Sequence, residues 1–379
     1  MQVSIWEKES FYAPQDIIIV GSGFVGLWSA YYLKKRDPDL KVTIIERGLI
    51  PMGASTRNAG FACFGSLSEL VHDAQAMGTE NMLDLVEKRF KGLERIQKVF
   101  GKKEIGFSLC GGYELYDNSE GITPEELENN IAYINSLLKP ITGSKRTYNL
   151  VNEKINGFGF GNTRHLVENI WEGSLHSGKL LQRLLLLVQS MGVQVFTGME
   201  VSCFEKVNDH MEVHVPPIGK LFATQLLLCT NAFTKNLYPS VDIKPARGQV
   251  LLTTPIEDLD WEGTFHSDEG YYYFRNLGKR VLLGGARNKA FQEEETTEMA
   301  TTGFIQGELE NYLAEVVLPN HRGKYEVEYR WAGIMAMGSE KAPIVKELEP
   351  GVFCAVRMSG MGVALAPEVG KQVAHMMDR

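Results

Sequence analysis

The chain has 379 residues, 44% of them hydrophobic and 23% charged, with a formal net charge of −8. That length exceeds what one hydrophobic core usually organises, so two domains are expected. Acidic and basic residues are interspersed and the balance is acidic, which argues against nucleic acid or an anionic membrane as the main partner.

The N-terminal stretch "MQVSIWEKESFYAPQD" carries charges where a signal peptide would need a continuous apolar segment. No run approaches the roughly 18 apolar residues of a membrane span, so a cytoplasmic protein without a span is expected. The five cysteines, Cys63, Cys110, Cys203, Cys229 and Cys354, are odd in number, and no two lie closer than Cys203 and Cys229. Neither a disulfide framework nor a CxxC metal site is suggested, so no metal is expected and a reducing compartment is implied.

The first strong signal is "DIIIVGSGFVGLWSAYYLKKR", a buried strand over Ile17 to Val20, a glycine turn and a helix, followed by the strand "KVTIIE" ending at Glu46. Gly21 permits the tight turn, Gly23 lets a pyrophosphate approach the backbone, and Gly26 lets helix and strand close on each other. Ser22, Phe24 and Val25 complete a phosphate cradle at the helix N-terminus. Glu46 is placed to accept from ribose hydroxyls and to repel a 2'-phosphate, with Arg47 following it.

Next comes "GASTRNAGFACFGS", too poor in apolar bulk to be core. As a sequence it is open between a phosphate cradle, a nucleophile site at Cys63 and a belt against a flat cofactor. Cys63 has no general base beside it in sequence. Residues 68 to 100 read as helical, and "GFSLCGGYELYDN" as a strand pair around Gly111 and Gly112. "TPEELENNIAYINSLL" starts with Thr123 as N-cap, Pro124 at the first helical position and Glu126 closing a capping box.

From Leu175 the pattern returns to helix ("GKLLQRLLLLVQSMG"), strand ("VQVFTGMEV"), an edge meander at "MEVHVP", and the buried strand of "TQLLLCTNAF". His210 and His214 are four apart but strand-like, not a helical metal pair. After "PARGQV" come aromatic strands, "GYYYFRNLGKRVLLGGARN", then a helix near 297 to 317. The C-terminal region, with "WAGIMAMGSEKAP" and "SGMGVALAPEVGKQVA", reads as strand, glycine turn and helix. The helix opening at Ser359, Gly360, Met361, Gly362 and Val363 aims unpaired N–H groups at one spot, where they stabilise negative charge.

The fold class expected is α/β: a Rossmann-like dinucleotide-binding domain interleaved with an α+β substrate domain built on a mainly antiparallel sheet. The expected division is 1–74, 151–243 and 331–379 for the first, and 75–150 and 244–330 for the second.

Together, the blocks "GSGFVG" with Glu46, "GASTRNAGF", "LLCTNAF", "PARGQV" with "LLGGARN", and "WAGIMAMGSEKAP" with "SGMGVALA" resemble the FAD-dependent amine and amino-acid oxidoreductases of the D-amino-acid oxidase superfamily. Glycine oxidase and sarcosine oxidase belong to that group; the pattern is nearest the gamma-glutamylputrescine oxidoreductase type. The resemblance implies a non-covalent FAD. In it, the belt matches from Ala54 onward: Ser55 and Thr56 supply hydroxyls to the pyrophosphate side, and Arg57, Asn58, Ala59, Gly60 and Phe61 pass along the flavin edge. Val201 meets the adenine, while Thr230, Asn231 and Ala232 close over the phosphates. Gly333 falls near the place where sarcosine oxidase links its flavin through a cysteine, hence the non-covalent expectation.

Several positions depart from the pattern. Where glycine oxidase-like members carry an arginine for the substrate carboxylate, this chain has Met335. Arg275, beside Tyr271, Tyr272 and Tyr273, reads either as a substitute anchor or as a solvated strand arginine; Tyr272 and Met335 are the other substrate-side candidates. Leu282 falls near the lysine that sarcosine oxidase uses toward dioxygen, so dioxygen and another electron acceptor both stay open. The function expected is oxidation of a C–N bond in a small-molecule amine or amino acid by hydride transfer to FAD, with hydrolysis of the imine. A 2-hydroxy-acid or other alcohol dehydrogenase on the same scaffold, or a low-turnover FAD-binding assembly subunit, is the alternative.

Overall fold

The computed structural model describes residues 2–117, 121–216 and 218–377. The chain forms two compact units: 1–57, 177–246 and 334–379 make the first, and 58–176 and 247–333 the second.

The first unit is a Rossmann-like layer structure. Its sheet runs in the order Ile344–Glu349, Val352–Val356, Gly219–Leu228, Gln15–Val20, Val42–Ile45, Gln194–Phe196. The four inner pairings from Val352–Val356 to Gln194–Phe196 are parallel, and Cys203–Val207 and His210–Val215 extend Gly219–Leu228 as an antiparallel meander. Ile17 to Ile19, Ile44 and Leu226 to Leu228 are buried on both faces, which is why these strands read as continuous apolar runs. The helices Phe24–Arg36 and Gly362–Met376 pack closely; a Cβ on Gly370 would meet Ser29 N at 2.8 Å, so only glycine allows that approach.

The second unit holds the other eight-stranded sheet, ordered Val327–Met337, Lys244–Thr253, Arg280–Gly285, Tyr272–Leu277, Thr264–Ser267, Gly112–Asp117, Thr163–Asn169, Tyr148–Leu150. The pair Thr264–Ser267 with Gly112–Asp117 is parallel, and the registered neighbours on either side of it are antiparallel. One sheet face packs on a large aromatic and aliphatic core that includes Phe160, Phe265, Phe274, Trp261 and the helix residues Ile305 and Leu309. Phe265 and Phe274 stack with centroids 4.8 Å apart.

Differences from the sequence expectation have local causes. The segment 58–74 and the segment 151–176 pack within the second unit, because Phe61–Ala62 pairs with Gly173–Ser174 and Thr163–Asn169 pairs with Gly112–Asp117. The expected helix over 68 to 100 is two helices, Leu67–Ala76 and Thr79–Val99, parted at Gly78, whose φ of +85° ends the first. Instead of a strand pair around Gly111 and Gly112 there is one strand, Gly112–Asp117; Ser108 makes only an isolated bridge to Ser174. The helix near 297 to 317 starts later, at Gly303, with Thr302 as N-cap, and ends in a wider turn over Leu313–Val317. The capping box at Thr123 and Glu126 forms as read. Among the described residues no helix is long and apolar enough to cross a membrane.

Candidate functional site

In the first unit the glycine turn has the shape of a phosphate cradle. Gly21 sits at φ +102°, and a Cβ there would lie 2.8 Å from Cys229 O; one on Gly26 would lie 2.0 Å from Gly21 O. Strand, turn and helix close only because these side chains are missing. Gly23 is the N-cap of Phe24–Arg36 and offers no side-chain cap, so the first-turn N–H groups stay open toward an anion. One is used: Phe24 N donates to Ser55 Oγ at 2.9 Å, tying the helical turn Ala54–Arg57 to the cradle.

Glu46 directly follows the strand Val42–Ile45, with its carboxylate fixed by neighbours. Oε2 accepts from Ser22 N (3.0 Å) and Ser22 Oγ (2.8 Å), and Oε1 accepts from Gly48 N (2.9 Å). An oriented acceptor at this place matches a ribose hydroxyl donor. Arg47 lays its guanidinium over Phe233, 3.8 Å from the ring centroid, and is 3.9 Å from Glu200, so it faces the surface. Val201 is buried in the segment after Met199, whose N donates to Glu46 O. Thr230 Oγ1 shares a hydrogen bond with Thr234 at 2.9 Å, and Ala232 is buried beside it. Asn231 takes φ +47° and keeps a buried Oδ1 with no partner.

Thr56 Oγ1 donates to Pro51 O at 2.8 Å and Arg57 Nε to Met52 O at 2.9 Å, so both brace their own loop.

The C-terminal turn of the first unit is strained. Arg357, Ser359 and Gly360 all have positive φ, at 63°, 47° and 83°. Non-glycine residues there cost about 1–3 kcal/mol each and persist only when the surroundings hold them. Arg357 is held by Asp242 Oδ2 (2.6 Å), Ala342 O (2.9 Å) and Glu340 (3.3 Å). Ser359 N donates to Ala336 O, leaving Ser359 Oγ buried and unpartnered. Met361, itself buried, is the N-cap of Gly362–Met376 with no side-chain cap, so Gly362 and Val363 open the helix with free N–H groups. Met335 lies beside this turn, its Sδ 3.6 Å from where a Cβ of Gly360 would stand.

In the second unit the belt residues meet the sheet's polar face. Asn58 Oδ1 accepts from Gly60 N at 2.9 Å; Gly60 has φ +73°, and a Cβ there would lie 2.3 Å from Leu175 O. Ala59 packs on the small cluster Val250, Leu252 and Leu282. Phe61 contacts His266 and Tyr273 edge-on, with centroids at 5.1 and 5.9 Å. Gly333 is buried at the end of this unit.

Two substrate-side candidates change standing. Tyr272 points into the apolar core and stacks on Tyr312 at 4.2 Å, since alternation puts it on the face of Phe274. Tyr273 shares the other face with Arg275. Arg275 is neither solvated nor free: Nη1 donates to Gly60 O (2.8 Å) and Leu175 O (2.9 Å), and Nε to Asn276 O (3.1 Å). Burial lowers its pKa from the ordinary arginine value.

What sequence reading missed is a buried polar cluster on that same face. Cys63, Glu172 and His266 bring their ligand-type atoms within 4.8 Å of one another, with Arg89, Glu69, Glu114 and Tyr148 around them. They come from distant segments, and the only sequence hint was Cys63 itself.

A family model described as DAO, FAD dependent oxidoreductase, matches residues 16–376. Among curated proteins, the probable oxidoreductase OrdL of Haemophilus influenzae is 23% identical, with 95% of this chain and 82% of that protein covered. Among solved structures, L-proline dehydrogenase from P. horikoshii superposes with a TM-score of 0.76 at 19% identity, covering 96% of this chain and 93% of that one. Glycine oxidase from Geobacillus kaustophilus gives 0.75 at 18%, covering 97% and 95%.

The first unit's residues fit the family's cofactor. A cradle closed by missing side chains, an oriented Glu46, the unpartnered Asn231 Oδ1 and Ser359 Oγ, and an uncapped fifteen-residue helix are donors and acceptors suited to a dinucleotide.

Proposed function

The chain belongs to the DAO family of FAD dependent oxidoreductases, and from that premise we propose that it oxidises a C–N bond, with an amine favoured over a simple amino acid as substrate. FAD is its cofactor, and when bound it supplies the two-electron acceptor for hydride from the carbon next to nitrogen. Gly21, Gly23 and Gly26 admit the pyrophosphate, Glu46 accepts from ribose hydroxyls, and Ser55 fixes the helix start that faces the phosphates. Gly362 and Val363 present N–H groups where negative charge is to be stabilised without reorganisation. No cysteine is available at Gly333, so the cofactor is held without a covalent bond and acid precipitation releases it.

The observation that carries the amine reading is the state of Arg275. Its Nη1 and Nε are committed to backbone carbonyls, and Met335 is uncharged, so neither residue offers the paired N–H fork that grips a carboxylate bidentately. Leu282 presents an apolar contact with Val250 and Leu252, with no ammonium to assist dioxygen, which supports an acceptor other than dioxygen.

The test is anaerobic mixing of the purified yellow protein with amines, amino acids and hydroxy acids. Bleaching by an amine is the expected result, followed by faster re-oxidation with a quinone than with air. Bleaching by hydroxy acids alone, or by no compound while dithionite still reduces the protein, would overturn the reading.

A further inference from the structure

On the polar face of the second unit's sheet, three chain segments converge. Cys63 follows the short strand Phe61–Ala62, Glu172 precedes Gly173–Ser174, and His266 lies in Thr264–Ser267. Glu172 is fully buried and His266 is 9% exposed. Glu172 Oε1 accepts from Gly65 N at 3.4 Å, but Oε2 makes no hydrogen bond; it faces His266 Nε2 at 3.4 Å, which makes none either. The third atom, Cys63 Sγ, completes a set lying within 4.8 Å of one another.

We propose that Cys63, Glu172 and His266 form a binding site for a divalent transition-metal ion of the zinc type. The reading is independent of the flavin chemistry.

Four observations support it. The donor set of thiolate, imidazole and carboxylate is the borderline-soft set that zinc prefers, and three protein ligands suffice for a zinc site. Zinc bonds of roughly 2.0–2.3 Å in a tetrahedron set ligand atoms about 3.3–3.8 Å apart, so atoms that lie within 4.8 Å of one another need to close by only about 1 Å. Room has been made for the carboxylate, because a Cβ on Gly112 would lie 2.1 Å from Glu172 Oε2. The ligands are also oriented by a second layer. Phe61 stands edge-on to the His266 ring, Gly65 N holds Glu172, and Arg89 Nη2 reaches Cys63 Sγ at 4.0 Å.

Charge balance points the same way. Glu69 is paired with Arg89 at 2.8 Å, whereas Glu114 is bonded to Ser68 and Tyr116, and Glu172 has no cationic partner other than a protonated His266. A bound metal displaces the thiol proton, and the imidazole proton where present, to solvent. The partly exposed trio Glu205, Glu212 and His214 is a weaker rival, since Lys220 already bridges its two carboxylates.

The test uses the full chain with FAD, reduced, stripped with a chelator, loaded with one equivalent of Zn²⁺ and desalted before elemental analysis. Wild type is expected to retain close to one equivalent. Cys63→Ser and His266→Gln are expected to bind at least tenfold more weakly, as for perturbed metal sites generally, with FAD content unchanged and unfolding still cooperative. His214→Ala should match wild type. The proposal is overturned if wild type keeps less than a tenth of an equivalent, if Cys63→Ser and His266→Gln retain zinc like wild type, or if His214→Ala is the variant that loses it. Should one of the two buried variants fail to fold, the other decides.

Discussion

The two faces of the second unit's sheet are both buried, yet they are held by different physics. On one face Tyr113, Leu115, Phe265, Tyr272, Phe274 and Leu283 merge into an apolar core. The next residues along the same strands, Glu114, His266, Tyr273 and Arg275, form the other face. Cross-strand register aligns His266 with Glu114 and Tyr273, and Arg275 with Thr264 and Leu282. The first face is stabilised by area removed from water, which tolerates small shifts of position. The second is stabilised by pairing: Thr264 Oγ1 donates to Gly111 O, Arg275 to Gly60 O and Leu175 O, and Ser68 and Tyr116 to Glu114. Burial does not tell a chemical face from a structural one; the bonding of buried polar atoms does.

The comparison breaks first at the apolar face. Phe265→Ala removes a fully buried ring that stacks on Phe274 and meets Phe160 and Trp261. The expected loss is about 3–5 kcal/mol, read as a lower denaturation midpoint. A change below 1 kcal/mol would mean that the core is not the continuous unit described.

Arg275→Met probes the polar face. The side chain keeps its length but leaves the Gly60 and Leu175 carbonyls without that donor, at an expected cost of about 1–3 kcal/mol. Leu175 N still donates to Gly60 O, so the belt loosens rather than detaches. If Arg275 instead anchors a substrate carboxylate, stability stays put and KM rises for acidic substrates only.

These faces also show where sequence reading stops. The glycine turn with Glu46 was legible because its chemistry lies within one β-α-β unit. The capping box at Thr123 was legible for the same local reason. Glu172 and His266 were not, because each gains meaning from a neighbour a hundred residues away in the chain, and Gly112 reads as a strand break until Glu172 is seen against it. Gly60 was placed along the flavin edge by resemblance alone; its close approach to Leu175 O is set by strand pairing in the folded unit.

The parity of the tyrosines is the finest case. In a sheet with one wet face, alternation of apolar and polar residues reveals which side is which. Here Tyr271, Tyr272 and Tyr273 are chemically identical and both faces are buried, so the phase shows only in the neighbours Phe274 and Arg275. Tyr272 is placed by its neighbour Phe274 on the core side, where its ring lies 14° from parallel with Tyr312. Desolvation raises its pKa to about 12, which suits a neutral packing residue and not a base. Tyr272→Phe is therefore expected to keep kcat and KM within about twofold and to change stability by less than about 1 kcal/mol, a hydroxyl's usual net worth. Tyr273→Phe alters the face shared with Phe61, His266 and Arg275, so the larger change in turnover or substrate preference is expected there. A fall in kcat for Tyr272→Phe with Tyr273→Phe unaffected would reverse the assignment of the two faces.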